Sequence, residues 1–321
     1  MPSWARAAAL RRVQGPGLRD SPTRLRDFLF ISEQRLREFC QTMTGMRRSI
    51  VIVATLVLTL PVLVGARTDD MEPALHAAHE LFYNGRYVDA AAMAGELCGP
   101  EKINDLRACE LRTSALHFML RRAMGDSADR KQAFARCAEC PDLLATFVAE
   151  TRRGVDAART RLKTTPGDED TLFLMGKLDL NYVWLQLATM GRRTGWDEYW
   201  EARHSLDAVL KANPRNVRAK VARGWIDYIV DTKLPGGTRW LLGGGNKKRG
   251  LQAIREAAEA QGTTFVRAEA GFALWDMQVR EKDVAGARVT ATKLSRDFPD
   301  NPDLKKFLDA QPATLFHLTG K

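Results

Sequence analysis

"TLFLMGKLDLNYVWLQLA" (residues 171–188) and "YWEARHSLDAVLKANPRN" (199–216) are the two lines from which the fold can be read. In both, apolar residues return every three or four positions, the spacing of a helix with one buried face. The second closes on Asn213-Pro214. That is a stop signal, because proline cannot donate the next helical hydrogen bond and restricts the residue before it. Moving outward, the scheme recurs. "ALHAAHELFYNGRYVDAAAMAGEL" (74–97) is an apolar helix, a turn at Gly85 and an alanine-rich helix. "RAKVARGWIDYIV" (218–230) pairs with "KRGLQAIREAAEAQ" (248–261), and "RAEAGFALWDMQVREKDVAGARVTATKLSRDFPDNP" (267–302) holds a fourth pair that ends at Phe298-Pro299. No convincing alternating strand interrupts them. The chain after residue 66 is therefore expected to be all-α.

Residues recur at matching places in these pairs. Leu174 and Gly176, Ala222 and Gly224, and Ala268 and Gly271 lie on first helices, while Ala90, Ala202, Ala253 and Ala287 lie on second helices. Small side chains let two helices approach closely, and larger apolar ones fill the space between pairs. This pattern resembles the tetratricopeptide (TPR) repeat, a helix–turn–helix unit of about 34 residues. The resemblance covers most of residues 72–309 and implies a TPR-like α-solenoid. Its spacing is irregular: Pro166 to Pro214 is 48 residues and Pro214 to Pro299 is 85, so loops are inserted. The segment "RWLLGGGNKKRGLQAI" (239–254) is similar, more closely, to exported bacterial TPR proteins associated with periplasmic solute-receptor (TRAP-type) transporters.

The compartment is read from "MRRSIVIVATLVLTLPVLVGARTDD" (46–70). Arg47 and Arg48 precede an uncharged apolar run from Ser49 to Val64, and Val64-Gly65-Ala66 supplies the small residues a signal peptidase accepts. The run is shorter than the ~20 residues of a membrane-spanning helix. Residues 46–66 thus read as a signal peptide or signal anchor, with 67–321 as the exported domain. Two readings stand for residues 1–45. They are a misassigned start, with Met46 the true first residue, or a basic tail, unstructured by composition, ahead of an uncleaved anchor.

The whole chain carries a net charge of +10. Residues 1–48 hold ten arginines against four acidic residues, so six of those charges lie there and four remain on the exported part. That part has no basic stripe interleaved with aromatics, so a nucleic-acid partner is not expected. Of five cysteines, Cys40 precedes the signal, and Cys98, Cys109, Cys137 and Cys140 follow it. Four cysteines in an oxidising compartment are expected to form disulfides, with redox exchange or metal binding at the Cys137-x-x-Cys140 pair as alternatives. A helix ending near Cys98 at Gly99-Pro100, and a next helix capped by Asn104, would bring Cys98 to Cys109. Cys137 and Cys140 then form a local pair.

Three candidate sites emerge. "KLPGGTRWLLGGGNKKRG" (233–250) lacks the hydroxyl of a P-loop after its lysines, so it is either a long helix connection or an anion site built on free amides at a helix start. Trp196, Tyr199 and Trp200 share one helix face, and with Trp225 and Trp240 they wall either a core or a binding groove. Trp240, Lys247 and Lys248 are candidate anchors in the Gly-rich loop. His76, His79 and Glu80 share a helix face, but in neither zincin order. No catalytic motif, metal site or cofactor is expected. The reading is a non-catalytic exported scaffold that binds a protein or peptide in the cell envelope. The alternative is a periplasmic small-ligand or transporter-accessory protein with an aromatic-lined pocket.

Overall fold

The computed structural model describes residues 73–99, 105–233 and 236–310. The described helices all belong to one compact unit, Arg67–Lys321. The readings of the signal segment and of residues 1–45 lie outside the described residues.

Among the described residues there are twelve α-helices and no strand. They are α1 (Pro73–Tyr83), α2 (Tyr87–Leu97), α3 (Leu106–Met124), α4 (Arg130–Arg136), α5 (Cys140–Thr164) and α6 (Glu169–Trp184). Then come α7 (Trp196–Ala212), α8 (Val217–Lys233), α9 (Lys247–Glu259), α10 (Thr264–Arg280), α11 (Val284–Asp297) and α12 (Pro302–Asp309). Consecutive long helices pack as hairpins: α1/α2, α3/α5, α6/α7, α8/α9 and α10/α11, with α12 closing the series. Each hairpin also packs on the next, so the core is a chain of overlapping apolar clusters. The fold is an all-α solenoid.

The repeat pattern of the sequence shows how the hairpins close. At Gly176 on α6 an added Cβ would lie 3.2 Å from the carbonyl oxygen of Ala202 on α7. At Gly250 on α9 it would lie 2.5 Å from the carbonyl oxygen of Gly224 on α8. Backbone meets backbone at these crossings, so no side chain can yield. The stop signals act where expected, with Asn213 as the C-cap of α7 and Phe298 as that of α11. Helix starts are capped by Asp168, Asn246, Thr263, Asp283 and Asn301, whose side chains accept from amides of the first turn.

Two features differ from the sequence reading. The α3/α5 hairpin is an additional repeat, disguised by a 25-residue second helix and by the short α4 inserted before it. Also, the cap of α3 is Asp105, which accepts from the Arg107 amide, rather than Asn104.

The stack closes on itself. Tyr83, at the end of α1, packs against Phe298 and Phe272 from the last hairpin, with ring centroids 5.2 and 5.6 Å away. The Asn301 side chain donates to the Tyr83 carbonyl at 2.7 Å, and the Asp300 amide donates to Asn84 Oδ1 at 3.1 Å. Gly85 has φ +75°, and a Cβ there would press on Pro302 at 2.8 Å. Its turn needs glycine for both reasons.

Replacing Gly250 with alanine is expected to destabilise the domain by about 1–3 kcal/mol through overpacking. Gly167→Ala, which meets nothing within 4 Å, should leave thermal unfolding nearly unchanged. Melting curves of the two variants against the parent check this.

Candidate functional site

Solenoids commonly bind partners on the concave face lined by first helices. Here the first helices carry charges that meet one another. Glu110 on α3, Lys177 on α6, Arg218 on α8 and Glu269 on α10 meet as a quartet whose side chains are only 6–25% exposed. Lys177 Nζ lies 2.8 Å from Glu269 Oε1 and 3.8 Å from Glu110 Oε1. The Arg218 guanidinium reaches Glu269 Oε2 at 2.6 Å and Glu110 Oε2 at 3.3 Å, and it lies over the ring of Phe173. Ser114 donates to Glu110 at 2.9 Å, and Asn181 donates to Ser114 and Thr113.

Burial pushes the Glu269 carboxyl up, but Arg218 and Lys177 pull it further down, to about 2. Burial lowers the Lys177 ammonium, and Glu269 and Glu110 more than offset this, so it ends above its ordinary value. The quartet thus sets two cationic side chains against two carboxyl side chains. His79 on α1 borders it; burial first, then Arg218, hold its imidazole down at about 4. A partner laid over these four side chains would have to displace an ion network.

The aromatic candidates divide. Tyr199 is buried, and its hydroxyl donates to the Leu242 carbonyl at 2.9 Å. Trp200 is half-buried, edge-on to Tyr199 and stacked on His204. Trp225 is half-buried beneath the Arg280 guanidinium. Trp196 and Trp240 are exposed, at 48% and 72%. None of the five lines the cleft that the structure shows between α5, α6 and α7.

The Gly-rich segment is more than a connection. Residues Gly236–Leu242 form a 3-10 helix, followed by Gly243 and Gly244 at φ +69° and +73°. Their left-handed backbone turns the carbonyls inward. The buried Arg203 side chain of α7 donates to the Leu242 carbonyl at 3.0 Å and the Gly243 carbonyl at 2.8 Å. Three amides at this helix start already have partners. Lys247 N donates to Asp231 Oδ2 at 2.7 Å, Arg249 N to Asn246 Oδ1 at 2.9 Å, and Asn246 N to the Asp227 carbonyl. Lys247 Nζ is drawn to Glu281 at 2.5 Å, whereas Lys248 is exposed. The result is a braced loop that presents Trp240 and Leu241, the latter 53% exposed, to solvent.

His76 pairs with Glu80 at 3.7 Å, while the buried His79 ring stacks on Phe265. Among the described residues no group of three or more His, Cys, Asp or Glu side chains is arranged to hold a metal ion. Cys98 is joined to Cys109 with Cα atoms 5.1 Å apart, and Cys137 to Cys140 at 5.4 Å. The first bridge ties the α1/α2 hairpin to α3. The second tethers the end of α4 to the start of α5.

Sequence reasoning missed two polar features. His117 on α3 is half-buried and meets Thr189 at 2.9 Å, where α6 runs on into a π-helical turn, Leu185–Thr189. Asp179 is buried in the middle of α6. The signal for the second was present in "KLDLN", an acidic residue between two leucines on a helix that is apolar nearly all round.

No protein-family model and no curated protein matches the chain. A solved TPR protein of Thermus thermophilus, described as thermophilic, is similar over 76% of this chain and 97% of its own, at 15% identity and a TM-score of 0.42. The all-α solenoid is defined by the helix geometry of the chain itself.

Arg218→Met leaves two carboxylates facing one lysine and should cost about 3–5 kcal/mol. Arg218→Met with Glu269→Leu restores the balance and should cost less than the sum of the single changes, as a double-mutant cycle would show. Glu269 titrates below its unfolded value of 4.5 and His79 below 6.5. Both therefore stabilise the fold above those values, and that stability is lost as pH falls through about 4 and then about 2. Denaturant midpoints measured from pH 7 to 2 should fall accordingly, with a shallower fall in Glu269→Gln.

Removing the Cys98–Cys109 bridge by a double serine change should cost about 2–3 kcal/mol by loop entropy. Opening the three-residue Cys137–Cys140 loop should cost less. Unfolding with and without reductant measures both.

Proposed function

We propose that this protein is an exported, non-catalytic helical scaffold of the cell envelope that holds a protein partner on its outer surface, through the Trp240–Leu241 loop. The observation that carries this reading is the braced exposure of that loop. An aromatic and a leucine are held out in water by a buried arginine and two left-handed glycines. Binding energy at protein interfaces concentrates in such rigid aromatic anchors, because little conformational freedom is lost when they are covered. The mutual pairing of the charges where the first helices meet supports a binding surface away from them. Lys248, beside the loop, supplies an unburied cation at its rim.

Export is supported by the pattern of residues 46–66 and by an even set of cysteines in the part that follows. No helix among the described residues is long and apolar enough to cross a membrane. On this reading, membrane attachment would come only from an uncleaved 49–64 segment.

Two measurements test the reading. N-terminal sequencing of the native protein should find Arg67 first; residues 1–45 still attached would overturn processing at Ala66. Trp240→Ala with Leu241→Ala should reduce crosslinking to its partner in intact envelopes at least tenfold, with thermal unfolding nearly unchanged. Undiminished crosslinking by the folded double variant would remove the loop from the functional surface.

A further inference from the structure

Asp179 is a buried acidic group in the middle of an apolar helix. It lies 1% exposed between Leu178 and Leu180 on α6, and its Oδ2 has no hydrogen-bond partner. Its carboxyl shares a hydrogen bond with Glu201 of α7; burial first, then Glu201, push it up to about 9, so it is protonated at neutral pH. A buried carboxyl oxygen without a donor is costly and uncommon in folded proteins. Asp179 lines a cleft of about 70 Å³ between α5, α6 and α7, which also includes Thr151, Val155 and Tyr182. Charged groups face it from both flanking helices: Arg152, Asp156 and Arg159 from α5, and Glu198 and Glu201 from α7. Arg159 is already engaged, with Nε 3.0 Å from Glu201 Oε1 and Nη1 3.3 Å from Asp156 Oδ1.

We infer that this cleft is a binding site for a compact cationic N–H donor, an ammonium or guanidinium group, whose hydrogen reaches Asp179 Oδ2. The vacant acceptor calls for a donor. The surrounding carboxylates of Asp156, Glu198 and Glu201 outnumber the two guanidiniums, which favours a positive one. The volume suits the tip of a side chain or a small amine rather than a drug-sized ligand. A cation beside Asp179 favours its ionised form. Binding should therefore release the Asp179 proton to the buffer, leaving a carboxylate paired with the bound cation. The group could come from a lysine or arginine of a protein, or from a free small amine. The site stands whether or not the Trp240 loop holds a partner.

Isothermal titration of the purified, disulfide-intact chain tests this, at pH 7.5 in two buffers of different ionisation enthalpy. The probes are putrescine, N-acetyl-lysine amide and N-acetyl-arginine amide, with N-acetyl-glutamine amide as the neutral control. At least one cationic probe should bind at least tenfold tighter than the control, with proton release. Preference for the amino-acid amides assigns the site to a protein side chain, and preference for putrescine assigns it to a free amine. Asp179→Asn should weaken binding at least tenfold and abolish proton release. Glu198→Gln should weaken it severalfold and retain the release. Affinity in the parent should rise between pH 6.5 and 8.5, by up to tenfold per unit, and this holds even if Asp179→Asn fails to fold. No preference for a cation, a pH-independent affinity, or full affinity with proton release in a folded Asp179→Asn would overturn the assignment.

Discussion

Charge balance at the axis of the helix stack is the condition that the rest of the fold has to meet. Glu110, Lys177, Arg218 and Glu269 come from four different hairpins, and each is neutralised only by charges on others. Ions taken out of water are costly unless their partners are in place, and the cost of one missing partner is larger than the worth of any pair. The hairpins are thus held in one register by electrostatics as well as by apolar packing. The small residues at the helix crossings serve the same end, because they set how far each first helix reaches toward the axis.

That arrangement moves recognition outward. Side chains paired with one another offer a partner little, whereas Trp240 and Leu241 remain exposed. Arg203 illustrates the shift. It lies on a second helix, inside the protein, and uses its donors on the carbonyls of a loop. Its effect is felt at the surface, where Trp240 and Leu241 are held in a fixed attitude.

Much of this was legible in the residues. Helical periodicity, the stop at Asn213-Pro214 and the small residues at Gly176 and Gly224 are local signals, and local signals determine which segments are helices and how tightly a pair can cross. Four of the five hairpins could be read this way. The α3/α5 hairpin could not, because α4 and the Cys137–Cys140 turn separate its two helices. The quartet was hidden for a different reason. Lys177 and Glu269 are 92 residues apart, and nothing in either segment announces the other. The aromatic stripe was visible, yet burial divided it: Tyr199 faces the loop and Trp196 faces water, although they are three residues apart. Lys247 looked free in the sequence and is held by Glu281, just past the end of the next helix.

The clasp at Tyr83 has a consequence for how the molecule comes apart. A linear array of repeats has two loose ends, and its terminal units can fray while the middle persists. Here the first hairpin is fastened to the last by Phe298, Asn301 and Asp300. Opening either end breaks the same contacts, so unfolding of one propagates to the other and the stack behaves as a single cooperative body.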